Sequence, residues 1–157
     1  MTRLFNYDIL SMKIENNYKL IGVRVISNKK KIKILLVVYI ILLSWLVLFK
    51  FGFSISDMRR IREINLIPFR YTNVVEGDLF WLEPLFNIVA FLPFGILLKK
   101  LNHDVKFGFW IFLLVSLSFE TIQYILSIGV SDITDIITNV IGGVAGMVIV
   151  TILNKNK

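Results

Sequence analysis

The chain has 157 residues, of which 56% are hydrophobic, and its mean hydropathy is +0.74. This composition is more apolar than that of a typical soluble domain and predicts one compact membrane domain. The absence of cysteine excludes disulfides, thiolate zinc sites and a cysteine nucleophile, and a single histidine, His103, excludes a His-rich metal site. The net charge of +7 does not indicate nucleic-acid binding, because the basic residues flank apolar segments as they do in membrane proteins.

The N-terminal part divides into a polar extension and a first apolar segment. Residues 1–31 lack sustained periodicity and are expected on the cytoplasmic surface. Residues 32–53 form the first predicted membrane span, with Lys33 and Lys50 near its ends. Because the apolar core is long and no A-x-A-like site follows it, we expect an uncleaved anchor.

Three further spans are predicted at 80–98, 107–128 and 136–153, each near the length of about 20 residues that crosses a bilayer. The predicted fold is therefore an all-α membrane protein with four transmembrane helices in an antiparallel bundle. The long connection at 54–79 contains residues 58–64, which are expected to form a short interfacial helix, and an extended stretch at 65–69. A turn is expected at 129–135.

The distribution of lysine and arginine predicts the orientation. The N-terminal segment, the loop between spans two and three, and the C-terminus hold 13 of the 18 basic residues, and the other side holds 5. The positive-inside rule places the side with more basic residues, and hence both termini, in the cytoplasm.

Polar residues recur on one face of three spans. At about 100° per residue, Glu120 and Gln123 share a face of the third span with Ser116 and Ser127. Asp132, Asp135 and Asn139 share a face of the fourth span. Asn87 lies on the second span, and Asn65 and Arg70 lie in the outward loop. Charged groups inside a membrane are costly and usually face a bundle interior or a watery cavity. All these residues fall in the outer part of the bundle, which predicts an outward-facing polar cup.

Other features of the spans predict packing rather than chemistry. Gly142, Gly143 and Gly146 form a small-residue pattern that lets another helix backbone approach closely. Pro93 is expected to kink the second span, since proline removes a helical hydrogen bond.

Structural explanations compete with functional ones at each polar position. Asp132 or Asp135 can cap the fourth helix. Glu120 can pair with Arg70, and the amides of Gln123, Asn139 and Asn87 can join helices by hydrogen bonds. A divalent metal on Glu120, Asp132 and Asp135 is disfavoured, because no histidine supports it, so neither metal nor cofactor is predicted.

Four motifs carry a family resemblance: NLIPFR at 65–70, NIVAFLPFG at 87–95, ETIQ at 120–123 and DITDIITNVIGG at 132–143. Their content, order and spacing resemble the VanZ-like family of bacterial membrane proteins. The resemblance implies a function at the cell envelope and a link to glycopeptide (teicoplanin) resistance. Many members carry an arginine shortly before the Asp-x-x-Asp segment, where this chain reads SIGVSD. Arg70 is the candidate replacement.

Three functions remain open from the sequence. The first is an envelope protein that binds or modifies a lipid-linked cell-wall precursor or a lipid headgroup. In that case Glu120 or Asp135 serves as general base, and Asn65, Arg70, Asn87, Gln123, Asp132 and Asn139 contact the substrate. The second is a structural or partner-binding membrane protein. The third is a small proton-coupled transporter, which the absence of a visible inverted repeat disfavours.

Overall fold

The computed structural model describes residues 22, 28–48, 61–69 and 82–155, and this part of the chain is mostly helical. Each of its four long helices is long and apolar enough to cross a membrane, which confirms the predicted number of spans. The helices are α1 (Asn28–Leu48), α2 (Leu82–Lys100), α3 (Val105–Leu126) and α4 (Ile133–Lys155).

The helix ends differ from the predicted spans where local hydrogen bonding decides them. Helix α4 begins at Ile133, before the predicted start at 136, because the Asp132 side chain caps its first turn. Helix α3 ends at Leu126, and Ser127 follows in a left-handed conformation with a φ of 56°. Its N–H donates to the carbonyl of Tyr124 at 3.2 Å, which closes the last turn. Residues 49–53 of the first predicted span lie outside the described residues.

Two short strands correct the all-helical prediction. Strand β1 (Ile61–Asn65) pairs in parallel with β2 (Ile128–Asp132), so that Ile61 lies opposite Ile128 and Asn65 lies opposite Asp132. Residues 61–64 were expected in an interfacial helix and form a strand instead, while 58–60 lie outside the description. Residues 129–132 are likewise a strand and not a turn. Parallel strands require a long crossover, here through α2 and α3, so neither strand has a local partner that the sequence pattern would reveal.

The stretch after β1 is a turn and not the extended segment expected at 65–69. The side chain of Asn65 accepts a hydrogen bond from the N–H of Ile67 at 3.2 Å, a local bond that favours a turn. Phe69 then adopts a positive φ of 56°. The chain therefore bends as soon as it leaves the strand.

Helices α2 and α4 approach each other through glycine. A Cβ atom at Gly142 or Gly146 would collide with the carbonyl oxygen of Ile88 or Leu92, respectively, and one at Gly95 would collide with the carbonyl of Gly143. The contacts on α2 advance along the chain together with those on α4, so the two helices run in the same direction. Backbone contact this close needs residues without side chains on the facing surface.

Aromatic rings fill the space beside this contact. Phe91, Phe94 and Phe112 are completely or almost completely buried, and the rings of Phe94 and Phe112 meet edge to face at 5.1 Å. Helix α2 continues through Pro93. Helix α1 joins this core through Tyr39, whose hydroxyl donates to the carbonyl of Ala90 at 2.7 Å, close to the point where Pro93 lacks a backbone donor.

Candidate functional site

Buried polar side chains gather where the strands meet the helices. They come from the last part of α3, the first part of α4 and the end of β1, and each is at most 7% exposed. We call this group, together with the half-buried Asp132 and Asn87 that bond to it, the polar cluster. Its buried members are Asn65, Ser116, Glu120, Gln123, Thr134, Asp135, Thr138 and Asn139.

Glu120 connects α3 to the junction of β2 and α4. Its side chain is 2% exposed, and Oε2 accepts a hydrogen bond from the backbone N–H of Asp132 at 2.8 Å. A carboxylate at this position also lies near the N-terminus of α4, where the helix dipole favours negative charge. The carboxyl group of Glu120 is thus held in a fixed orientation at the start of the next helix.

Asp132 is a helix cap that also holds β1. Its Oδ1 accepts from the N–H of Thr134 at 2.7 Å, which caps α4, and its Oδ2 accepts from Nδ2 of Asn65 at 2.9 Å. One carboxylate therefore serves a helix and a strand. One oxygen caps the helix, and the other accepts a hydrogen bond from Asn65, which is distant in sequence.

Asp135 connects α4 to α2 in the same way. The side chain is 4% exposed, and Oδ1 accepts from Nδ2 of Asn87 at 2.8 Å. The neighbouring Thr134 accepts the N–H of Phe69 at 3.0 Å through its hydroxyl oxygen. The first turn of α4 is therefore in contact with both α2 and the turn that follows β1.

The side-chain amides of Gln123 and Asn139 are completely buried, and the nitrogen of each amide donates a hydrogen bond. Nε2 of Gln123 donates to the carbonyl of Val47, near the last described residue of α1, at 3.0 Å. Nδ2 of Asn139 donates to the hydroxyl of Ser116 at 2.9 Å. The side-chain oxygens of both amides accept no hydrogen bond within the described residues. A buried acceptor without a donor costs about 1–3 kcal/mol, so each oxygen is a position where a donor would bind favourably.

The structure joins most of the predicted site residues in small groups. Asn65, Asp132 and Glu120 form one connected chain of hydrogen bonds, and Asn87 and Asp135 form another. Gln123 connects to α1 and Asn139 to Ser116, while Arg70 and its expected pairing lie outside the described residues. Within the described ranges, no three His, Cys, Asp or Glu side chains are placed to hold a metal ion.

The helix-packing residues lie away from this chemistry. Gly142 and Gly146 lie in the middle of α4 against the backbone of α2, and Gly143 lies against the ring of Phe112. Pro93 lies more than one turn beyond Asn87 on α2. The three glycines therefore permit the close helix contact, and a helix-packing role for Pro93 stays a prediction.

The sequence placed Ser116 on the polar face of the third span without a site role, and it predicted no role for Thr134 or Thr138. Thr138 donates to the carbonyl of Thr134 at 2.8 Å within α4, and its own side chain is 2% exposed. The available signal was position: Thr134 and Thr138 are one helical turn apart, and Ser116 precedes Glu120 by one turn. Hydroxyls that bond to their own helix are common, so this spacing alone favoured no role.

Comparisons with known proteins confirm the predicted family. Residues 36–154 match the family described as VanZ/LLP1, and this range includes the whole polar cluster. The chain is also 40% identical over 128 residues to "Protein VanZ" from Enterococcus faecium, covering 78% of this chain and 74% of that protein. No solved structure matches. Four helices able to span a membrane and the family match indicate a multi-pass bacterial membrane protein. The chain therefore belongs to the VanZ/LLP1 family.

Proposed function

We propose that this protein binds the polar part of a lipid-linked envelope precursor, or a lipid headgroup, at the outer face of the bacterial cell membrane. The observation that carries the proposal is the pair of buried oxygens on Gln123 and Asn139, which accept no hydrogen bond within the described residues. They lie beside the carboxylates of Glu120 and Asp135 on the same two helices. Such acceptors favour a ligand that brings hydrogen-bond donors.

The chemistry of envelope lipids matches this donor requirement. Sugar hydroxyls, peptide amides and ammonium groups all donate hydrogen bonds, and a lipid tail keeps such a headgroup at the membrane. Arg70, which follows β1 in sequence, is the candidate for a phosphate contact, since guanidinium binds phosphate through paired hydrogen bonds. The match to a protein named VanZ supports extending the family's implied link to glycopeptide (teicoplanin) resistance to this chain.

We infer an antiparallel bundle with both termini in the cytoplasm, and in that topology the polar cluster faces outward. Two contacts support an antiparallel arrangement of α3 and α4: Gly108, early in α3, lies against Met147 in the second half of α4, and Ser116 bonds to Asn139 nearer the start of α4. The described lysines occur at the helix ends opposite to the polar cluster, and cytoplasmic loops are typically enriched in lysine and arginine. They are Lys29, Lys30, Lys31, Lys33, Lys99, Lys100, Lys106 and Lys155.

If the ligand is also modified, Glu120 and Asp135 are the groups that move protons. Each is buried, and each has one oxygen held by a hydrogen bond of 2.8 Å, from the Asp132 N–H and from Asn87. General acid–base catalysis requires such a carboxyl group within hydrogen-bond reach of the proton that it transfers. Asn65, Asp132 and Asn87 then act as positioning residues.

Ligand binding by purified protein tests the proposal. A lipid-linked cell-wall precursor and phosphatidylglycerol are titrated separately against wild type, Glu120→Gln and Asp135→Asn. The control Asp104→Asn makes the same type of change at the N-cap of α3, where Oδ1 accepts from Phe107 N–H at 2.6 Å and asparagine also caps well. We expect saturable binding by wild type and the control, and at least tenfold weaker binding by the cluster variants, equivalent to about 1.4 kcal/mol. Equal binding by all four proteins would remove the cluster from the ligand site.

A structural role is the second candidate, and a specific observation favours it. The bonds Asn65–Asp132, Asn87–Asp135 and Gln123–Val47 each join separate elements, so the polar cluster also holds the bundle together. This role predicts that Glu120→Gln and Asp135→Asn lower protein abundance in the membrane and that any resistance phenotype follows abundance. Loss of the phenotype at wild-type abundance would contradict it.

A further inference from the structure

The turn that follows β1 exposes apolar side chains at the end of the molecule that holds the polar cluster. Ile64 is 56% exposed, Leu66 is 71% exposed, and Ile67 and Phe69 are also exposed. Only Asn65 among residues 64–69 points into the protein. We call residues 64–69 the apolar turn. An apolar group of this kind in contact with water is unfavourable and usually marks an interaction surface.

Hydrogen bonds at both ends hold the apolar turn in this position. Asn65 donates to Asp132 at 2.9 Å, and the N–H of Phe69 donates to Thr134 at 3.0 Å. Strand β1 is also paired with β2 along its whole length. Because the backbone is fixed before and after the turn, the exposed side chains cannot rotate into the protein core.

The surroundings of the apolar turn identify a lipid bilayer as its partner. It is bonded to the first turn of α4, and the last turn of α3 beside β2 exposes Ile125 and Leu126, each 60% exposed. Both helices are long and apolar enough to span a membrane, and the hydrogen bond from Phe69 to Thr134 attaches the turn directly to one of them, α4. In the sequence, Arg59, Arg60, Arg62 and Arg70 flank the apolar turn. Apolar side chains flanked by arginine are typical of segments that insert at the boundary of an anionic leaflet.

We propose that the apolar turn inserts into the boundary between headgroups and acyl chains of an anionic leaflet and anchors β1 there. The depth of the polar cluster in the membrane is then determined by the helices and also by the contact of the apolar turn with the lipid headgroups. This role concerns the membrane itself and does not depend on ligand binding by the polar cluster.

Spin labelling of the full chain in vesicles tests the insertion. Because the protein has no cysteine, each introduced cysteine is the only attachment point. Labels at Leu66→Cys and Ile67→Cys are compared with Lys106→Cys, an exposed position at the start of α3, and with Leu114→Cys, which is 60% exposed in the middle of α3. The vesicles contain phosphatidylcholine and phosphatidylglycerol. Collisions with oxygen report lipid exposure, and collisions with a water-soluble nickel chelate report water exposure.

We expect the labels at 66 and 67 to favour oxygen over the nickel chelate several-fold more than the label at 106, and to approach the label at 114. Either position suffices if the other variant fails to fold. Equal nickel accessibility at 66, 67 and 106 would overturn the proposal. Protection from both reagents would also overturn it, because the apolar turn would then be covered by protein, and spin–spin broadening would identify a second copy as the cover.

Discussion

Asp132 uses its two carboxylate oxygens for two different elements. Oδ1 accepts the Thr134 N–H that begins α4, and Oδ2 accepts the side-chain amide of Asn65 at the end of β1. Its own N–H donates to Glu120. A capping aspartate at an exposed helix end normally serves only its own helix, as Asp104 does for the N–H of Phe107 in α3. The two caps therefore make a matched comparison between a local and a long-range role.

Substitution at these caps is expected to separate the two roles. Asp132→Ala removes the cap, worth about 1 kcal/mol, and leaves the Asn65 amide without its acceptor, at a cost of about 1–3 kcal/mol. Asp104→Ala removes a cap on an exposed side chain, so we expect a loss of only about 1 kcal/mol. The free energy of unfolding of purified protein in detergent measures both. Equal losses at the two positions would contradict the long-range role of Asp132.

The contact between helices α2 and α4 depends on glycine residues, which have no side chain to hold the two backbones apart. A Cβ at Gly142 or Gly146 would meet backbone atoms of Ile88 and Leu92, which cannot move aside as a flexible side chain can. We expect Gly142→Ala and Gly146→Ala each to lower the free energy of unfolding by about 1–3 kcal/mol, the usual cost of overpacking. Gly22→Ala is the matched control, since a Cβ there meets nothing within 4 Å. Unchanged stability in both α4 variants would show that the two helices are farther apart.

The parallel pairing of β1 and β2 is testable by cross-linking, because introduced cysteines have no native competitor. Ile64 and Ser131 are Cα partners in the ladder, whereas Val130 is opposite Glu63. We expect the pair Ile64→Cys and Ser131→Cys to form a disulfide under mild oxidation, since opposed Cα atoms are within the bridging distance. The pair Ile64→Cys and Val130→Cys should cross-link more slowly, because neighbouring strand residues point to opposite faces. Faster cross-linking of this second pair would indicate another register.

The contrast between helices and strands explains how much the sequence predicted. Hydropathy alone located four helices, and a rotation of about 100° per residue placed Glu120 with Gln123 and Asp135 with Asn139 on shared faces. The strands were missed because their stability comes from partners far away: Asn65 and Asp132 are separated by 67 residues. Which carboxylate meets which amide also depends on helix rotation and depth, which periodicity does not determine.

At the scale of the whole molecule, the two ends differ in chemistry. The buried polar side chains of the described residues gather where the strands meet the helices, and the described lysines occur at the opposite helix ends. The positive-inside rule then predicts that the polar cluster is extracytoplasmic. In intact cells, a membrane-impermeant maleimide should label Glu63→Cys, an exposed β1 position, and should label Lys106→Cys only after permeabilisation. The reverse pattern would invert the proposed topology.

The central claim is that the polar cluster binds a ligand in addition to joining the helices. A ligand that binds only the folded protein raises its melting temperature by mass action. The decisive measurement is therefore the change in melting temperature when a lipid-linked cell-wall precursor is added to wild type, Asp104→Asn and Glu120→Gln. We expect a concentration-dependent rise for wild type and Asp104→Asn, and little or no rise for folded Glu120→Gln. An equal rise in all three proteins, or no rise in wild type at saturating precursor, would contradict it.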